Sequence, residues 1–457
     1  MKYFTRAGGK VILVPYPAQG HVTPMLKLAC ELVSHGLEPV LVVPEFIHRS
    51  ISAQIDSMEG IVCQSIPADG LDEGKPRDFF AMEMAMEKIM PLHLEKLVRQ
   101  LDGEQEQDHD EGRVSCMIVD LLASHAINVA RRCGVKVAGF WPATMATYRL
   151  ISAIPHMLLS GIISETGCPL LETPICVSPG QPSISAAELP WLIGTSAGRT
   201  SRFKFWTKTM DRSKTLEWLL VNSFAEECRG GQINVQNVIP IRPTSNTMHS
   251  RTSTKTVASF WEEDLSCLDW LDKQAVASVV YISFGSWVSP IGEAKVKNLA
   301  VALETSGRHF LWVLGPAWRE GLPRGFVERM SKEGGQGKIV SWAPQMEVLQ
   351  HEAVGCYLTH CGWNSTVEAI QCKKRLLCYP VAGDQFLNCA YIVKAWRIGV
   401  RLRGFGQRDL AEGLKRVIED IEMDGRILGL NEKLMGKEAT SRAATNLASF
   451  VNNIVSM

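Results

Sequence analysis

The sequence predicts an α/β protein with two doubly wound parallel sheets, one following the other along the chain. Short runs of β-branched and other apolar residues alternate with amphipathic helical stretches, which is the rhythm of strands and crossover helices. The rhythm lapses once, in a stretch rich in Pro, Ser and Thr, and then resumes. The chain has 457 residues, of which 46% are hydrophobic. That is too long for one ordinary domain and enough to fill two cores.

The elements follow one another in a regular order. Predicted strands in the first half are KVILVP, EPVLVVP, SCMIVD, VKVAGFWP and EWLLVNSF, with helices such as HVTPMLKLACELVSHG between them. The second half repeats the pattern with SVVYISFGS, HFLWVLGP, GKIVSWAP, CYLTHCG and RLLCYP. We therefore predict an N-terminal domain over 1–240, a linker over 241–264, a C-terminal domain over 265–435, and a last helix over 436–457 that packs back on the first domain. Two such sheets are expected to bind ligands in a shared cleft, at the carboxyl ends of their strands.

Composition excludes several partners. Lys+Arg and Asp+Glu number 48 each, so no nucleic acid or anionic membrane is expected as a partner. No apolar run approaches the ~20 residues of a membrane span. The apolar run near the N-terminus is broken by Pro15 and Pro17 and is better interpreted as a first buried strand than as a signal peptide. The 13 cysteines are scattered through apolar segments, which fits reduced thiols in a cytosolic or nuclear compartment. We expect a cytoplasmic protein.

The stretch YLTHCGWNSTVEA, from Tyr357 to Ala369, places polar residues between a strand and a helix. A helix that begins near Asn364 or Ser365 offers free backbone N–H groups and a positive dipole end to a phosphate. Gly362 lets the backbone approach a ligand, and His360 can donate a further hydrogen bond. Glu368, one helical turn along, can accept from ribose hydroxyls. The turn is predicted to bind a nucleotide.

Simpler explanations exist for single residues of this turn. Ser365 alone could be a helix N-cap, Gly362 a turn residue and His360 a hydrogen-bonded polar group. The cluster of Cys356, His360 and Cys361 could suggest zinc, but its spacing matches no common set of zinc ligands. The nucleotide interpretation is preferred because it accounts for the whole set of residues together.

The segment from Trp342 to Gln385 closely resembles the signature box of plant family 1 UDP-glycosyltransferases. The resemblance rests on WAPQ, HCGWNS, Glu368, Pro380 and the final DQ, in that order. Outside the box, PYPAQGHVTPML, NSFAEEC and VVYISFGS are also similar to segments of that family, in the expected order. The resemblance implies a GT-B fold, a UDP-sugar as donor co-substrate, a small-molecule acceptor, no bound cofactor and no metal, in a protein expected to be a monomer.

The resemblance also implies a role for each residue of the box. Trp342 would stack on the uracil while the backbone at Ala343 reads its edge, and Gln345 would reach the ribose together with Glu368. The side chains expected at the diphosphate, besides the backbone of Gly362, are Ser286, His360, Asn364 and Ser365. Those expected at the sugar are Trp363, Asp384 and Gln385. In the family a final glutamine generally goes with glucose, so UDP-glucose is the expected donor.

The expected catalytic pair lies in the first domain. His21 follows PYPAQG after the first strand, and Asp120 ends the strand SCMIVD. Both positions are strand carboxyl ends of one sheet, so the two side chains can meet. In the family such a histidine is the general base and the aspartate orients its imidazole, a role that suits a group with a pKa near 6.5. The acceptor would attack the anomeric carbon opposite UDP, so an α-linked donor would give a β-glycoside.

The acceptor is expected in an apolar pocket of the N-terminal domain. Candidate lining residues are Phe140, Met145, Met157, Trp191 and Phe203. Such a pocket suits a small lipophilic alcohol, phenol or acid, and the sequence does not name it.

Alternatives to an active transferase are a UDP-sugar-binding protein of the same fold that no longer turns over and, more remotely, a nucleotide-sugar epimerase. The motif DHD at Asp108–Asp110 could suggest a metal-dependent transferase of another fold, but no apolar strand leads into it. The chain also departs from the family at Lys373, Lys374 and Arg375, where members commonly carry Gly-Val-Pro. These basic residues are expected to complement a helix dipole, and a basic partner surface is conceivable there.

Overall fold

The computed structural model describes eight stretches of the chain: residues 9–67, 79–103, 113–176, 180–228, 235–241, 260–286, 291–332 and 334–456. Their contacts group them into two compact units. The first contains the described parts of Met1–Met145, Phe205–Phe260 and Thr440–Met457, and the second those of Ala146–Lys204 and Trp261–Ala439. Residues 146–204 therefore group with the second unit, whereas the strand rhythm alone placed them before the linker.

The sheet of the first unit has seven strands among the described residues, all paired in parallel. They are β1 Lys10–Val14, β2 Glu38–Pro44, β3 Val62–Ile66, β4 Val114–Asp120, β5 Val137–Trp141, β6 Trp218–Val221 and β7 Asn237–Pro240. Their order is β3-β2-β1-β4-β5-β6-β7. The strand order reverses between β1 and β4, the switch point at which such sheets bind ligands.

Nine α-helices precede residue 229 in the described residues, and the parts of them within residues 146–204 belong to the second unit. Up to residue 228 they are α1 Gln19–Ser34, α2 Glu45–Asp56, α3 Phe79–Lys88, α4 Met90–Gly103, α5 His125–Arg132, α6 Met145–Ser152, α7 Ile154–Leu159, α8 Ser196–Ser213 and α9 Ala225–Cys228. The buried face of α1 packs into one apolar core with β1 and β2. The last helix of the chain also contributes Leu447 and Phe450 to this core, and the Phe450 ring lies edge-on to Trp218 at 6.0 Å.

The sheet of the second unit has six parallel strands among the described residues. They are β8 Val279–Ser283, β9 Phe310–Val313, β10 Gly337–Val340, β11 Val354–Thr359, β12 Arg375–Cys378 and β13 Gly399–Arg401. Their order is β10-β9-β8-β11-β12-β13, so the switch point lies between β8 and β11. The accompanying helices are α10 Ser266–Leu271, α11 Glu293–Ser306, α12 Phe326–Ser331, α13 Gln345–Gln350, α14 Trp363–Gln371, α15 Gln385–Ala390, α16 Gln407–Glu419 and α17 Met423–Met435. The last helix, α18 Lys437–Val455, lies mostly in the first unit.

The predicted fold class, two Rossmann-like doubly wound domains, is confirmed by the two parallel sheets. Most of the predicted linker and the whole DHD motif lie outside the described residues. Within the described part of the chain, none of the helices is long and apolar enough to span a membrane.

Candidate functional site

His21 and Asp120 meet at the switch point of the first sheet. Asp120 is the last residue of β4, and His21 lies in the first turn of α1, the helix that follows β1. The His21 Nδ1 atom lies 2.7 Å from Asp120 Oδ2. The Asp120 side chain is fully buried and that of His21 is 22% exposed. Asp120 Oδ1 accepts a second hydrogen bond, from the backbone N–H of Leu122 at 2.9 Å.

This arrangement fixes the imidazole. A carboxylate that accepts from Nδ1–H leaves the lone pair on Nε2 and favours the charged ring once a proton is taken up. Among the described residues, no hydrogen bond occupies the Nε2 of His21. The structure therefore brings the predicted pair together, with 22% of the His21 side chain exposed.

The turn after β11 leads into α14, whose N-cap is Gly362. No side chain caps this end, and a helix N-terminus presents backbone N–H groups and a positive dipole end to an anion. The helix begins at Trp363, one residue earlier than expected. Ser365 lies inside the helix, so the alternative interpretation of Ser365 as the N-cap does not hold.

His360 lies between two glycines that leave it no spare room. A Cβ atom on Gly285 would lie 2.6 Å from His360 Nε2, and one on Gly362 would lie 2.4 Å from the same atom. Burial lowers the pKa of His360 to about 4, against a smaller opposing effect from a hydrogen bond with the Ser283 backbone. The ring is therefore neutral near pH 7. Its Nδ1 atom is buried and has no hydrogen-bond partner among the described residues.

Gln345 forms hydrogen bonds with four residues around the predicted ribose site. Its Nε2 donates to Glu368 Oε2 at 2.7 Å and to Ser365 Oγ at 3.1 Å. Its Oε1 accepts from the hydroxyls of Tyr281 at 3.0 Å and Tyr357 at 3.3 Å. These four bonds occupy the amide, which here orients Glu368. Neither tyrosine was predicted as a site residue; their paired positions on adjacent strands β8 and β11 were the signal available in the sequence.

Trp342 is partly exposed and its ring centre lies 4.5 Å from that of Trp261. The Trp342 carbonyl accepts from the backbone N–H of Asp264 at 3.1 Å, which ties the residue to the start of α10. Ala343 beside it is buried. Trp261 was not predicted as a site residue, and no motif in the sequence marks it.

The loop before α15 carries Asp384 and Gln385. Gln385 Oε1 accepts from the backbone N–H groups of Val381 and Ala382 at 2.9 and 3.0 Å, so its Nε2 is the atom left to donate to a ligand. The fully buried Asn388 donates to Asp384 Oδ2 at 2.8 Å and to the Cys361 carbonyl at 3.0 Å. Asn388 thus ties this loop to the turn after β11. Its spacing of four residues from Asp384 on one helix face was the signal available in the sequence.

The remaining residues of the predicted donor site surround these two loops. Ser286 and Asn364 are partly exposed. Trp363 is buried, with its ring centre 6.3 Å from that of Trp396. All of the donor residues predicted from the box follow the carboxyl ends of strands in the second sheet.

Comparison with known proteins decides the family. The chain is 50% identical to UDP-glycosyltransferase 82A1 of Arabidopsis thaliana over 97% of this chain and 98% of the relative. The chain belongs to the UDP-glycosyltransferase family. A family model described as UDP-glucoronosyl and UDP-glucosyl transferase matches residues 250–432. UDP-glycosyltransferase 83A1 of Arabidopsis thaliana is 31% identical over 98% of this chain and 97% of its own.

Solved structures support the same fold for this UDP-glycosyltransferase. A UDP-glucosyltransferase from Polygonum tinctorium superposes with a TM-score of 0.80 at 23% identity and covers 99% of this chain and 100% of its own. UGT71G1 of Medicago truncatula, solved with UDP-glucose, superposes with a TM-score of 0.76 at 21% identity and covers 99% of each chain. The GT-B prediction is confirmed by these neighbours.

The five residues predicted to line an acceptor pocket in this UDP-glycosyltransferase are all buried: Phe140, Met145, Met157, Trp191 and Phe203. Phe140 belongs to the apolar core of the first sheet. Trp191 and Phe203 contact each other, with ring centres 5.3 Å apart, and the Trp191 indole donates to the Gly167 carbonyl at 2.7 Å. In the described structure these side chains pack internally, and their role at an acceptor stays a prediction.

The basic departure from the family pattern has a local structural explanation. Lys373 adopts the left-handed conformation, with φ of +55°, that a glycine would favour. The ammonium of Lys374 donates to the carbonyls of His351 and Val354 at 3.0 and 2.7 Å. Arg375 forms two bonds of 2.8 Å with the Asp424 carboxylate. Lys374 thus links this turn to the start of β11, and Arg375 links the start of β12 to α17.

Proposed function

We propose that this protein transfers a sugar, glucose, from a UDP-sugar to a hydroxyl or carboxyl group of a small lipophilic acceptor, with inversion at the anomeric carbon. The observation that carries the proposal is the 2.7 Å contact between His21 and the buried Asp120 at a sheet switch point, in a member of the UDP-glycosyltransferase family. A buried carboxylate holding a partly exposed imidazole is what proton abstraction from an acceptor requires. We further expect a cytoplasmic monomer.

In the proposed reaction, His21 Nε2 takes the proton of the acceptor as the acceptor oxygen bonds to the anomeric carbon. The bond between that carbon and the UDP oxygen breaks on the opposite face, and its electron pair leaves with UDP. Asp120, which accepts from Nδ1, stabilises the imidazolium that forms. One displacement therefore converts an α-linked donor into a β-glycoside.

The leaving diphosphate is assigned to the turn after β11. The uncapped N-terminus of α14 supplies backbone N–H groups and a positive dipole end. His360, neutral because burial lowers its pKa to about 4, would act as a hydrogen-bond donor and not as a cation. These groups meet the developing charge without a metal ion in the proposed mechanism.

The nucleoside and sugar are assigned to neighbouring loops. Trp342 and Ala343 would hold the uracil, and Glu368, oriented by Gln345, would accept from the ribose. Asp384 and Gln385 would meet the sugar hydroxyls, one as an acceptor and the other through its free Nε2. UGT71G1, a neighbour of the same fold, was solved with UDP-glucose, which supports glucose as the donor sugar here.

The test is turnover by the purified full chain with UDP-glucose and a panel of phenols, alcohols and carboxylic acids. Mass spectrometry should show one acceptor gaining a hexosyl group, with matching release of UDP. His21→Ala should lose this product and keep its affinity for UDP. The inactive binding protein would be favoured instead if UDP-glucose binds tightly but the wild type transfers sugar to every acceptor no faster than His21→Ala does.

A further inference from the structure

Three cysteines from separate elements converge near the turn after β11 and the loop before α15, which carry residues of the predicted donor site. Cys361 lies in the turn after β11, Cys378 ends β12 and Cys389 lies in α15. Their sulfur atoms all lie within 4.8 Å of one another. The three residues are 0%, 0% and 1% exposed, and all are free thiols. Cys356, which the sequence had suggested beside Cys361, is not part of this group.

The backbone at Cys361 is unusual. Its φ of +66° places a non-glycine residue in the left-handed region, a strained conformation that persists only where the surroundings enforce it. The Cys361 N–H donates to Thr359 Oγ1 at 3.0 Å, and its carbonyl accepts from Asn388. The turn is thus held in a conformation that directs the Cys361 sulfur to the other two.

We propose that Cys361, Cys378 and Cys389 form a three-thiolate site for one soft, thiophilic cation of the copper(I) or cadmium type. Thiolates select soft cations. A trigonal centre with metal–sulfur bonds of about 2.3 Å needs sulfurs about 4 Å apart, so the observed spacing requires shifts of less than about 1 Å. Among the described residues, no histidine or carboxylate joins the three sulfurs. A four-coordinate structural zinc site is therefore incomplete here.

The three-cysteine site would be joined to the turn after β11 and the loop before α15 by neighbouring residues of the chain and by hydrogen bonds. Cys361 lies between His360 and Gly362, and Asn388, next to Cys389, bonds both the Cys361 carbonyl and Asp384. A bound cation would brace the turn, the end of β12 and α15 against one another. Binding requires loss of the thiol protons, and it stabilises the native state by an amount that grows with the logarithm of the free cation concentration above the Kd.

The experiment titrates the reduced, full-length protein with Cd²⁺ under anaerobic conditions, against a competing chelator. We expect one tightly held Cd²⁺ per chain by native mass spectrometry, sulfur-to-cadmium charge-transfer absorption in the ultraviolet, and three sulfur neighbours by X-ray absorption. Cys378→Ser and Cys389→Ser should each weaken Cd²⁺ at least about a hundredfold. Cys356→Ser, a buried cysteine on β11 outside the group, is the matched control and should bind as the wild type does.

UDP binding by each variant reports whether it has folded. Equal Cd²⁺ affinity in Cys356→Ser, Cys378→Ser and Cys389→Ser would overturn the proposal and leave the thiols as small apolar core residues. If a variant does not fold, the sulfur count of the wild-type complex decides, and fewer than three sulfurs on the tight cation would equally overturn it.

Discussion

The side-chain amide of Gln345 donates a 2.7 Å hydrogen bond to the carboxylate of Glu368. The same amide accepts from the hydroxyls of Tyr281 and Tyr357, whose rings stack with centres 4.9 Å apart. The carboxylate proposed to hold the ribose is therefore oriented by a residue on another helix, which is itself fixed by two strands. Gln345 is therefore placed to act on a nucleotide through Glu368, and the direct ribose contact that the resemblance implied stays a prediction.

This relationship predicts a selective effect on ribose recognition. Gln345→Met should weaken UDP about tenfold, since a freed Glu368 loses part of a charge-assisted hydrogen bond to the ribose. Binding of 2′-deoxy-UDP should fall less, because one of the hydroxyls that Glu368 would hold is missing. Isothermal titration calorimetry on both nucleotides measures the difference. Gln350→Met, at an exposed position on the same helix, is the control, and an equal loss for both nucleotides would contradict the role.

Much of this fold could be predicted because buried parallel strands are continuous apolar runs. The five mostly buried strands of the first sheet, β1, β2, β4, β5 and β6, were all predicted. The glycine that closes the predicted first helix, Gly36, has a φ of +80° just after the end of α1. The strands β3 and β7 were not predicted. Their residues VCQSI and NVIP are half-exposed at the sheet edges, so they lack the apolar run that identifies a strand.

The candidate site was predictable as a set of residues but not as a network. Strand ends and helix starts predict, from the chain order alone, that His360 and Glu368 belong to one nucleotide site, and the structure places both at the turn after β11 and the helix that follows it. The roles of Asn388 and Tyr357 depend on side-chain directions from several elements, which a linear pattern does not encode. The left-handed backbone at Lys373 was equally hidden, because nothing in the Lys-Lys-Arg run indicates a positive φ.

The contact between His21 and Asp120 predicts the effect of replacing the aspartate by asparagine, which has nearly the same shape. In Asp120→Asn, the new side chain can still accept from the Leu122 N–H, but its amide group no longer requires a proton on His21 Nδ1. The imidazole then adopts the wrong tautomer for a base at Nε2. Turnover should fall at least about a hundredfold with UDP affinity unchanged. Steady-state kinetics with one accepted acceptor measures this.

The control for that variant is Asp211→Asn, at a surface carboxylate paired with Lys214, which should retain normal turnover. His35→Ala at the far end of α1 serves the same purpose for His21→Ala. Near-normal turnover of Asp120→Asn would show that the pair is structural.

The close approach of Gly362 to His360 predicts a steric test. Gly362 has φ of −61°, a value that alanine also adopts, so Gly362→Ala disturbs only the contact at 2.4 Å. His360 must move, and UDP should bind about ten- to a hundredfold more weakly, as expected for a lost hydrogen bond to a charged group. Gly429→Ala in α17, where an added Cβ meets nothing within 4 Å, should bind UDP normally. Unchanged UDP affinity in Gly362→Ala would remove His360 from the diphosphate site.

The buried imidazole of His360 also predicts acid sensitivity. Its pKa is about 4 in the folded protein and about 6.5 when unfolded, so the unfolded state binds more protons between these values. Stability is fully present above pH 6.5 and is lost as the pH falls towards 4. From pH 7.5 to pH 5 the loss from this group is about 2 kcal/mol. His360→Asn should therefore lose about 2 kcal/mol less than the wild type in urea unfolding over that range.

His156→Asn, at an exposed position of α7, is the matched control, and the gain in acid resistance should be specific to His360→Asn. Parallel pH profiles for the wild type and His360→Asn would mean that the His360 ring is not held neutral by burial.

The loop of Asp384 and Gln385 predicts the donor preference. Two backbone N–H groups fix Gln385 Oε1, so the side chain offers a donor to the sugar, while Asp384 offers an acceptor. Glucose presents hydroxyls to both. The carboxylate of glucuronic acid would face that of Asp384, an unfavourable pairing of like charges. UDP-glucose should therefore be preferred and UDP-glucuronic acid should be used least.

The measurement is a competition of UDP-glucose, UDP-galactose, UDP-xylose and UDP-glucuronic acid at equal concentration with one accepted acceptor, with products resolved by mass spectrometry and chromatography. Gln385→Glu sharpens it, because the new side chain can still accept from Val381 and Ala382 but has no amide to donate. The kcat/KM of Gln385→Glu for UDP-glucose should fall at least about tenfold, while its affinity for UDP stays unchanged. The exposed control Gln350→Glu should also keep its affinity for UDP. Glucuronide as the main product of the wild type would show that Asp384 and Gln385 do not select the sugar.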